Sequence, residues 1–508
     1  MHHAQHALIY TCIFSCLSSA QRLTRFPPYF NFGAATSAYQ IEGAWNVSGK
    51  GVSIWDTAVH DTPQRIADGS SGDDAAQSYY RWEEDIAIIR QMRLNFYRFS
   101  LSWTRLFPQG TLNSLNPDGV RYYDQLINGL LAAGIEPMVT IFHWDVPQRL
   151  QDMGGWTNDL IVDYYTEYAN RVFQLFGDRV RLWVTINEPG QYCQFGYDNL
   201  NAPFINSSAL GTYQCGHNVL RAHGRAYRLY DNYYRSSQNG RLGIVCDTTW
   251  YEPSDNSSQF DREAADRALQ FLFGWFINPI YSPEGDYPAA MRARVDYVSQ
   301  QQGFPESRLP SFTPEELLMI RGAYDFMGVN HYSTFLARPD NQAIARFPSL
   351  NNDVDIQQFV DPSWELTEGQ TYFAVVPWGI RRLLNWIADT YGRDIEIFIT
   401  ENGYDGFRNE SLQDSRRVNY LNSYLREVLN AINDGVRVTA YTFWALMDNF
   451  EWVNGYNSRF GLYRIDYDDP TGNRTRIPKR SAMVYQNIIV TRQINESFVP
   501  DEFAFDSA

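Results

Sequence analysis

Residues 180–189 read VRLWVTINEP and residues 395–403 read IEIFITENG. Each is a short, almost unbroken apolar run that stops at a glutamate, Glu188 in the first and Glu401 in the second. A strand with one wet face alternates polar and apolar residues, whereas an unbroken run suits a parallel strand covered on both faces. Runs at 29–36, 94–99, 136–142, 242–249, 325–330 and 438–444 have the same character. Between them, segments of helical period lie at 74–92, 118–133, 158–177, 260–276, 376–391 and 412–434. Gly134, Gly177, Gly392 and Gly435 close four of these, where a positive φ is expected. Eight strands alternating with helices over about 470 residues predict a single α/β domain, a (β/α)8 TIM barrel. A doubly wound open sheet is the alternative, but no dinucleotide-binding glycine fingerprint supports it. The long connections, rich in Gly, Pro, Asn and aromatics, mostly follow strand ends, the side on which barrels build their sites.

Composition narrows the function. The chain has 508 residues, 44% of them apolar and 20% charged, which excludes disorder and fibrous structure. Its net charge of -16 disfavours a nucleic-acid or anionic-membrane partner. Aromatic content is high, at 16%. No Cys/His cluster has metal-ligand spacing and no glycine loop cradles phosphate, so the chemistry is expected to need neither metal nor cofactor. Lys50 and Lys479 are the only lysines; arginine supplies the other cations. Arginine keeps its charge at alkaline pH, which would suit an alkaline gut lumen, and a biased codon usage explains the same pattern equally well.

The run LIYTCIFSCL at 8–17, followed by Ser18-Ser19-Ala20, reads as a signal peptide over residues 1–20. The barrel is expected over 21–492 and a polar tail over 493–508. Sequons at Asn46, Asn206, Asn256, Asn409, Asn473 and Asn495 agree with a secreted glycoprotein. Cys193 and Cys215 can pair in such a compartment, and Cys246, within GIVC, reads as a buried thiol. A homodimer is compatible with the sequence, and nothing in it selects an oligomeric state.

Two glutamates at the exits of strands four and seven face one barrel mouth although they are far apart in sequence. A facing pair of carboxyl groups is what glycoside hydrolysis needs: one protonates the leaving oxygen and the other attacks, or activates water, at the anomeric carbon. A lone glutamate after a strand is more often a helix-cap partner or loop ion pair. Two together, each beside Asn and Pro or Gly, point to catalysis.

TINEP and ITENG resemble the two signature motifs of glycoside hydrolase family one, the β-glucosidase family. The likeness runs through NFGAATSAYQIEGAW, YRFSLSW, FHWDVPQ, GVNHY, FWALMDNFEWVNGY and RFGLY, and so spans most of the chain. GYDNLNAPFIN and the loop around Cys215 are similar to insect secreted members. The resemblance implies a retaining mechanism with Glu188 as acid/base and Glu401 as nucleophile, their carboxyl groups about 5 to 5.5 Å apart. It implies that Arg98 and Tyr332 tune the nucleophile and that Asn187 contacts the sugar 2-hydroxyl. Gln40, His143, Trp444, Glu451 and Trp452 correspond to its sugar pocket, with Asn330 and Phe460 as weaker candidates. Gln194 and Phe335 are candidates for the leaving-group side. There the family's tryptophan is replaced by Tyr372, so leaving-group preference is not inherited.

The reading is therefore a β-glucosidase acting on oligosaccharides or plant β-glucosides. A thioglucosidase of the myrosinase type, acting on glucosinolates, is the alternative. Glu188 departs from the plant thioglucosidase arrangement, which carries Gln there, and Glu451 argues against 6-phosphosugars because a carboxylate repels phosphate. A non-catalytic carbohydrate-binding or receptor-like member is the alternative of another class, and retention of both glutamates speaks against it.

Overall fold

Eight parallel strands close on themselves: β1 (Asn31–Ala35), β2 (Phe96–Ser100), β3 (Glu136–Phe142), β4 (Leu182–Asn187), β5 (Arg241–Asp247), β6 (Met327–Asn330), β7 (Ile397–Asn402) and β8 (Val438–Trp444). Each pairs with its neighbour in sequence, and β1 meets β8 with Asn31 opposite Ala440 and Ala35 opposite Trp444. The structure is a computed structural model that describes residues 22–369 and 373–500. The expected signal segment and Tyr372 lie outside the described residues. All eight expected strands are present.

The helices that return the chain are α1 (Ser78–Gln91), α2 (Pro117–Ala132), α3 (Leu160–Phe176), α4 (Gly211–Tyr233), α5 (Gly274–Tyr281), α6 (Pro377–Tyr391), α7 (Ser415–Asn433) and α8 (Arg480–Thr491). Their starts follow local chemistry. Asn116 caps α2 through the Asp118 N–H, and proline opens both α2 and α6, where its missing N–H costs nothing. The expected helix at 260–276 is two, Gln259–Leu272 and α5. Of the four closing glycines, Gly134, Gly392 and Gly435 have positive φ. Gly177 does not: its φ is -71°, and its lack of a side chain serves packing, because a Cβ there would lie 2.0 Å from Gln238 Oε1.

The barrel interior is filled rather than hollow. Phe96, Met138, Val184, Val245, Phe326, Phe398 and Ala440 form a closed apolar cluster across it, with the rings of Phe326 and Phe398 stacked 4.5 Å apart. Successive inward residues of a strand are two apart. Arg98 thus stands one layer above Phe96, on the side where the strands end. Outside the barrel, Trp103, Trp156, Trp183 and Trp275 are fully buried, so much of the aromatic excess is ordinary core.

The segment after β4 is held by a disulfide between Cys193, in the helix Pro189–Tyr197, and Cys215, in α4. Cys246 is a buried free thiol. Beyond α8, Ile494 and Phe498 pack against the core and Glu496 pairs with Arg426 at 2.6 Å. Among the described residues, no helix is long and apolar enough to cross a membrane, and no group of three or more His, Cys, Asp or Glu is arranged to hold a metal ion.

Candidate active site

At the C-terminal mouth of the barrel lies a cavity of about 500 Å³, within the usual range for small-molecule sites. Glu188 and Glu401 both line it. The strands that deliver them lose regular register at this point, between Val184 and Asn187 against β5 and between Ile399 and Glu401 against β6. Such irregularities at barrel rims re-aim side chains. Glu188 itself takes a left-handed backbone, φ 44° and ψ 60°, immediately before the proline that starts the next helix. A non-glycine residue held there costs of order 1–3 kcal/mol, which the surrounding structure must offset.

Glu401 is 3% exposed and fully engaged. Arg98 Nη1 donates to Oε1 at 2.6 Å and Tyr332 Oη donates to Oε2 at 2.7 Å. Arg98 is fixed in turn by the Thr400 carbonyl at 3.1 Å, Thr140 Oγ1 at 3.2 Å and Asn187 Oδ1 at 2.5 Å. A guanidinium and a phenol thus donate to opposite oxygens, which leaves neither without a partner and fixes the carboxyl group in place.

Glu188 stands in the opposite condition. It is 8% exposed and accepts from Asn330 Nδ2 at 2.7 Å. Burial, followed by the charges of Glu401 and Asp247, holds its carboxyl well above the ordinary glutamate range. The two carboxyl groups of one cavity thus stand in unequal surroundings, Glu401 held by a guanidinium and a phenol and Glu188 buried beside neighbouring acids.

The remaining expected residues fall into two layers. His143, Asn330, Tyr332, Trp444, Glu451, Trp452 and Phe460 line the cavity, as do Gln194 and Phe335. Gln40, Arg98 and Asn187 sit behind that lining. Gln40 Nε2 donates to Asn449 Oδ1 and the Phe450 carbonyl, both at 3.0 Å, and to Glu451 Oε2 at 3.2 Å. It therefore positions Glu451, whose carboxyl is raised well above its usual range by burial and then by Asp405 and Glu401. Asn187 bridges Arg98 and His143, its Nδ2 lying 3.1 Å from His143 Nε2. Burial and then Arg98 hold His143 well below its usual pKa, so it is neutral. Its ring lies nearly parallel to those of Trp444 and Trp452, at 6.0 and 5.9 Å. Gly403 explains the last letter of ITENG: a Cβ there would lie 1.8 Å from the Trp444 carbonyl oxygen.

Sequence reasoning missed Asp247, at the end of β5. It lines the cavity, accepts from Gln191 Nε2 at 2.6 Å, and is pushed up to about 6, chiefly by burial. Trp144, whose indole donates to the Asn187 carbonyl at 3.0 Å, was also missed, though it adjoins His143 in FHWDVPQ. Among the described lining residues there is no arginine or lysine.

The family model for glycosyl hydrolase family 1 matches residues 22–494. Myrosinase 1 of Brevicoryne brassicae is 44% identical over 475 residues, covering 92% of this chain and 99% of that protein. The cytosolic β-glucosidase of Homo sapiens is 42% identical over 466 residues, covering 91% and 98%. Among solved structures, aphid myrosinase superposes with a TM-score of 0.86 at 44% identity over 92% of this chain and 99% of that one. Rice Os3BGlu6 β-glucosidase gives 0.85 at 39% identity over 91% and 98%.

Proposed function

The chain belongs to glycosyl hydrolase family 1 and is a retaining β-glycosidase, and from that premise we propose that it cleaves terminal β-D-glucosyl residues from neutral glucosides, with Glu401 as nucleophile and Glu188 as acid/base. The observation that carries the assignment is the unequal treatment of the two carboxyl groups. Arg98 and Tyr332 donate to the two oxygens of Glu401, while burial and the charge of Glu401 hold the Glu188 carboxyl well above its ordinary range.

In the first displacement Glu401 attacks the anomeric carbon as Glu188 gives its proton to the leaving oxygen. The glycosyl ester that forms has no charge on Glu401. With that charge gone, Glu188 becomes more acidic and takes a proton from water, which releases the sugar. Sugar hydroxyls meet Glu451, held by Gln40, and His143, whose Nδ1 is buried without a protein partner. The Trp444 ring supplies an apolar wall for a sugar face. Asn187, bonded to Arg98 and lying behind the lining, orients this machinery.

The thioglucosidase reading is favoured by the likeness to Myrosinase 1 and disfavoured by the cation-free lining, since a glucosinolate sulfate would meet only acidic and neutral side chains. Secretion and glycosylation complete the proposal. They are supported by the disulfide and by the exposure of all six sequon asparagines, Asn46, Asn206, Asn256, Asn409, Asn473 and Asn495. The gut lumen of an insect is a setting that fits them. The test is a panel of p-nitrophenyl β-glucoside, cellobiose, aryl galactosides and a glucosinolate. Hydrolysis of the aryl glucoside is expected; its absence removes the glycosidase reading, and preference for the glucosinolate installs the alternative.

A further inference from the structure

Of 42 arginine and lysine residues, only Lys50 and Lys479 are lysine, and the side chains of both are buried. Lys50, its side chain 5% exposed, lies 2.7 Å from Asp56 Oδ2. Lys479, wholly buried, donates to Asp448 Oδ1 at 2.9 Å and to Glu410. The surface therefore presents no side-chain ammonium group. Thiols are withheld in the same way among the described residues. Cys193 and Cys215 are bonded to each other, and Cys246 is buried. Of the described histidines only His60 reaches solvent, and its Nε2 faces Asp73 at 3.0 Å.

What this surface lacks is nucleophilicity, not positive charge. Retention of charge is a weak reason to replace lysine: at pH 9 a lysine of ordinary pKa is only about 4% neutral, so arginine gains almost nothing. That same few per cent of free amine is replenished as fast as it reacts, and it is enough to consume every exposed lysine where an electrophile is present. A guanidinium, protonated beyond about pH 12, has no free electron pair to offer.

We propose that the glucosides cleaved here release an aglycone that is a hemiacetal and opens to an amine-reactive aldehyde, and that the enzyme's surface resists its own product. This rests on the glycosidase reading above. Hydrolysis breaks the bond between the anomeric carbon and the leaving oxygen; water supplies a hydroxyl to the first and a proton to the second. Where that oxygen is borne by an acetal carbon of the aglycone, the freed hemiacetal opens. Its hydroxyl proton passes to the ring oxygen, that C–O bond breaks, and a C=O forms with no change of oxidation state. A lysine amine would then add to the carbonyl carbon and expel water to leave an imine. The cation-free cavity suits such a neutral aglycone and gives an anionic precursor no partner.

The test compares the wild type with a variant carrying Arg121→Lys, Arg393→Lys, Arg426→Lys and Arg437→Lys, arginines whose side chains are 47–64% exposed and remote from the cavity lining. Both should hydrolyse p-nitrophenyl β-glucoside equally, and a wild type that does not hydrolyse it sinks the glycosidase reading itself. The probe is geniposide, whose aglycone genipin forms a blue pigment with primary amines. The wild type should turn it over linearly without gaining aglycone mass, while the variant colours, gains adducts and loses activity severalfold faster. The inference is overturned if the wild type cleaves the aryl glucoside but not geniposide, or if both proteins are modified at the same rate. It is also overturned if the variant loses activity at pH 9 with no electrophile present, which would return the arginine surface to an alkaline setting.

Discussion

Arg98 Nη1 lies 2.6 Å from Glu401 Oε1, with Arg98 behind the cavity lining and Glu401 part of it, so the nucleophile is held from the protein side by a buried ion pair. A charge-assisted hydrogen bond of this kind contributes about 1.5–3 kcal/mol. Arg98→Met removes the donor to Oε1 and should lower kcat/KM by about ten- to a hundredfold. Leaving the carboxylate unpaired should also cost about 3–5 kcal/mol of stability, read by denaturant titration. An unchanged kcat/KM would separate Arg98 from the action of Glu401.

Removing the nucleophile should be repairable from outside. Glu401→Gly is expected to lose nearly all turnover and to regain it with azide and an activated aryl glucoside, giving a glycosyl azide of inverted configuration. A product of retained configuration would move the nucleophile elsewhere.

The pH dependence of stability carries its own sign. Glu188 is raised in the folded protein, so the fold favours its protonated form. The associated stability is fully present below the unfolded glutamate pKa of about 4.3 and is lost as pH rises through the folded value. Glu188→Gln, which mimics the protonated side chain and can still accept from Asn330, should raise Tm at neutral pH. The difference should close toward pH 4. A variant less stable than wild type at pH 7 would contradict this.

Gly403→Ala places a methyl group 1.8 Å from the Trp444 carbonyl, so backbone must move. Overpacking of this kind typically costs about 1–3 kcal/mol. Because Trp444 lines the cavity, kcat/KM should fall along with Tm; a Tm change alone would mean that the tryptophan holds its place.

Cys193 and Cys215 are 22 residues apart, and opening a loop of that size should cost about 3 kcal/mol. Cys193→Ser with Cys215→Ser should lower the denaturation midpoint by a matching amount. The helix Pro189–Tyr197 directly follows Glu188, so activity should become more sensitive to heat as well.

The barrel was legible because each strand is covered on both faces and reads as an unbroken apolar run. The helix α4 was not, since Gly216 and Gly224 give its stretch the look of a loop. Both are packing glycines: a Cβ on Gly216 would lie 2.3 Å from the Trp275 ring and one on Gly224 3.1 Å from Ile320. The helix does carry a polar stripe, Gln214, Arg221, Arg225 and Arg228 at helical spacing, so its period was present and the two glycines masked it. Glu188 and Glu401 were legible because each ends a strand within a motif. Asp247 ends a strand too, yet no neighbouring residue marks it, and its significance comes only from the barrel closing around Glu188.

The aromatic plug across the barrel interior gives the cavity a blind end. A glucosyl group bound against Glu401 and Trp444 has only the mouth behind it, and the leaving group occupies that route. Product release is therefore ordered: the aglycone departs first, with glucose following as the last to dissociate. Free glucose should accordingly compete with substrate for the empty enzyme, and a polysaccharide cannot thread through the site but can be shortened only from its tip.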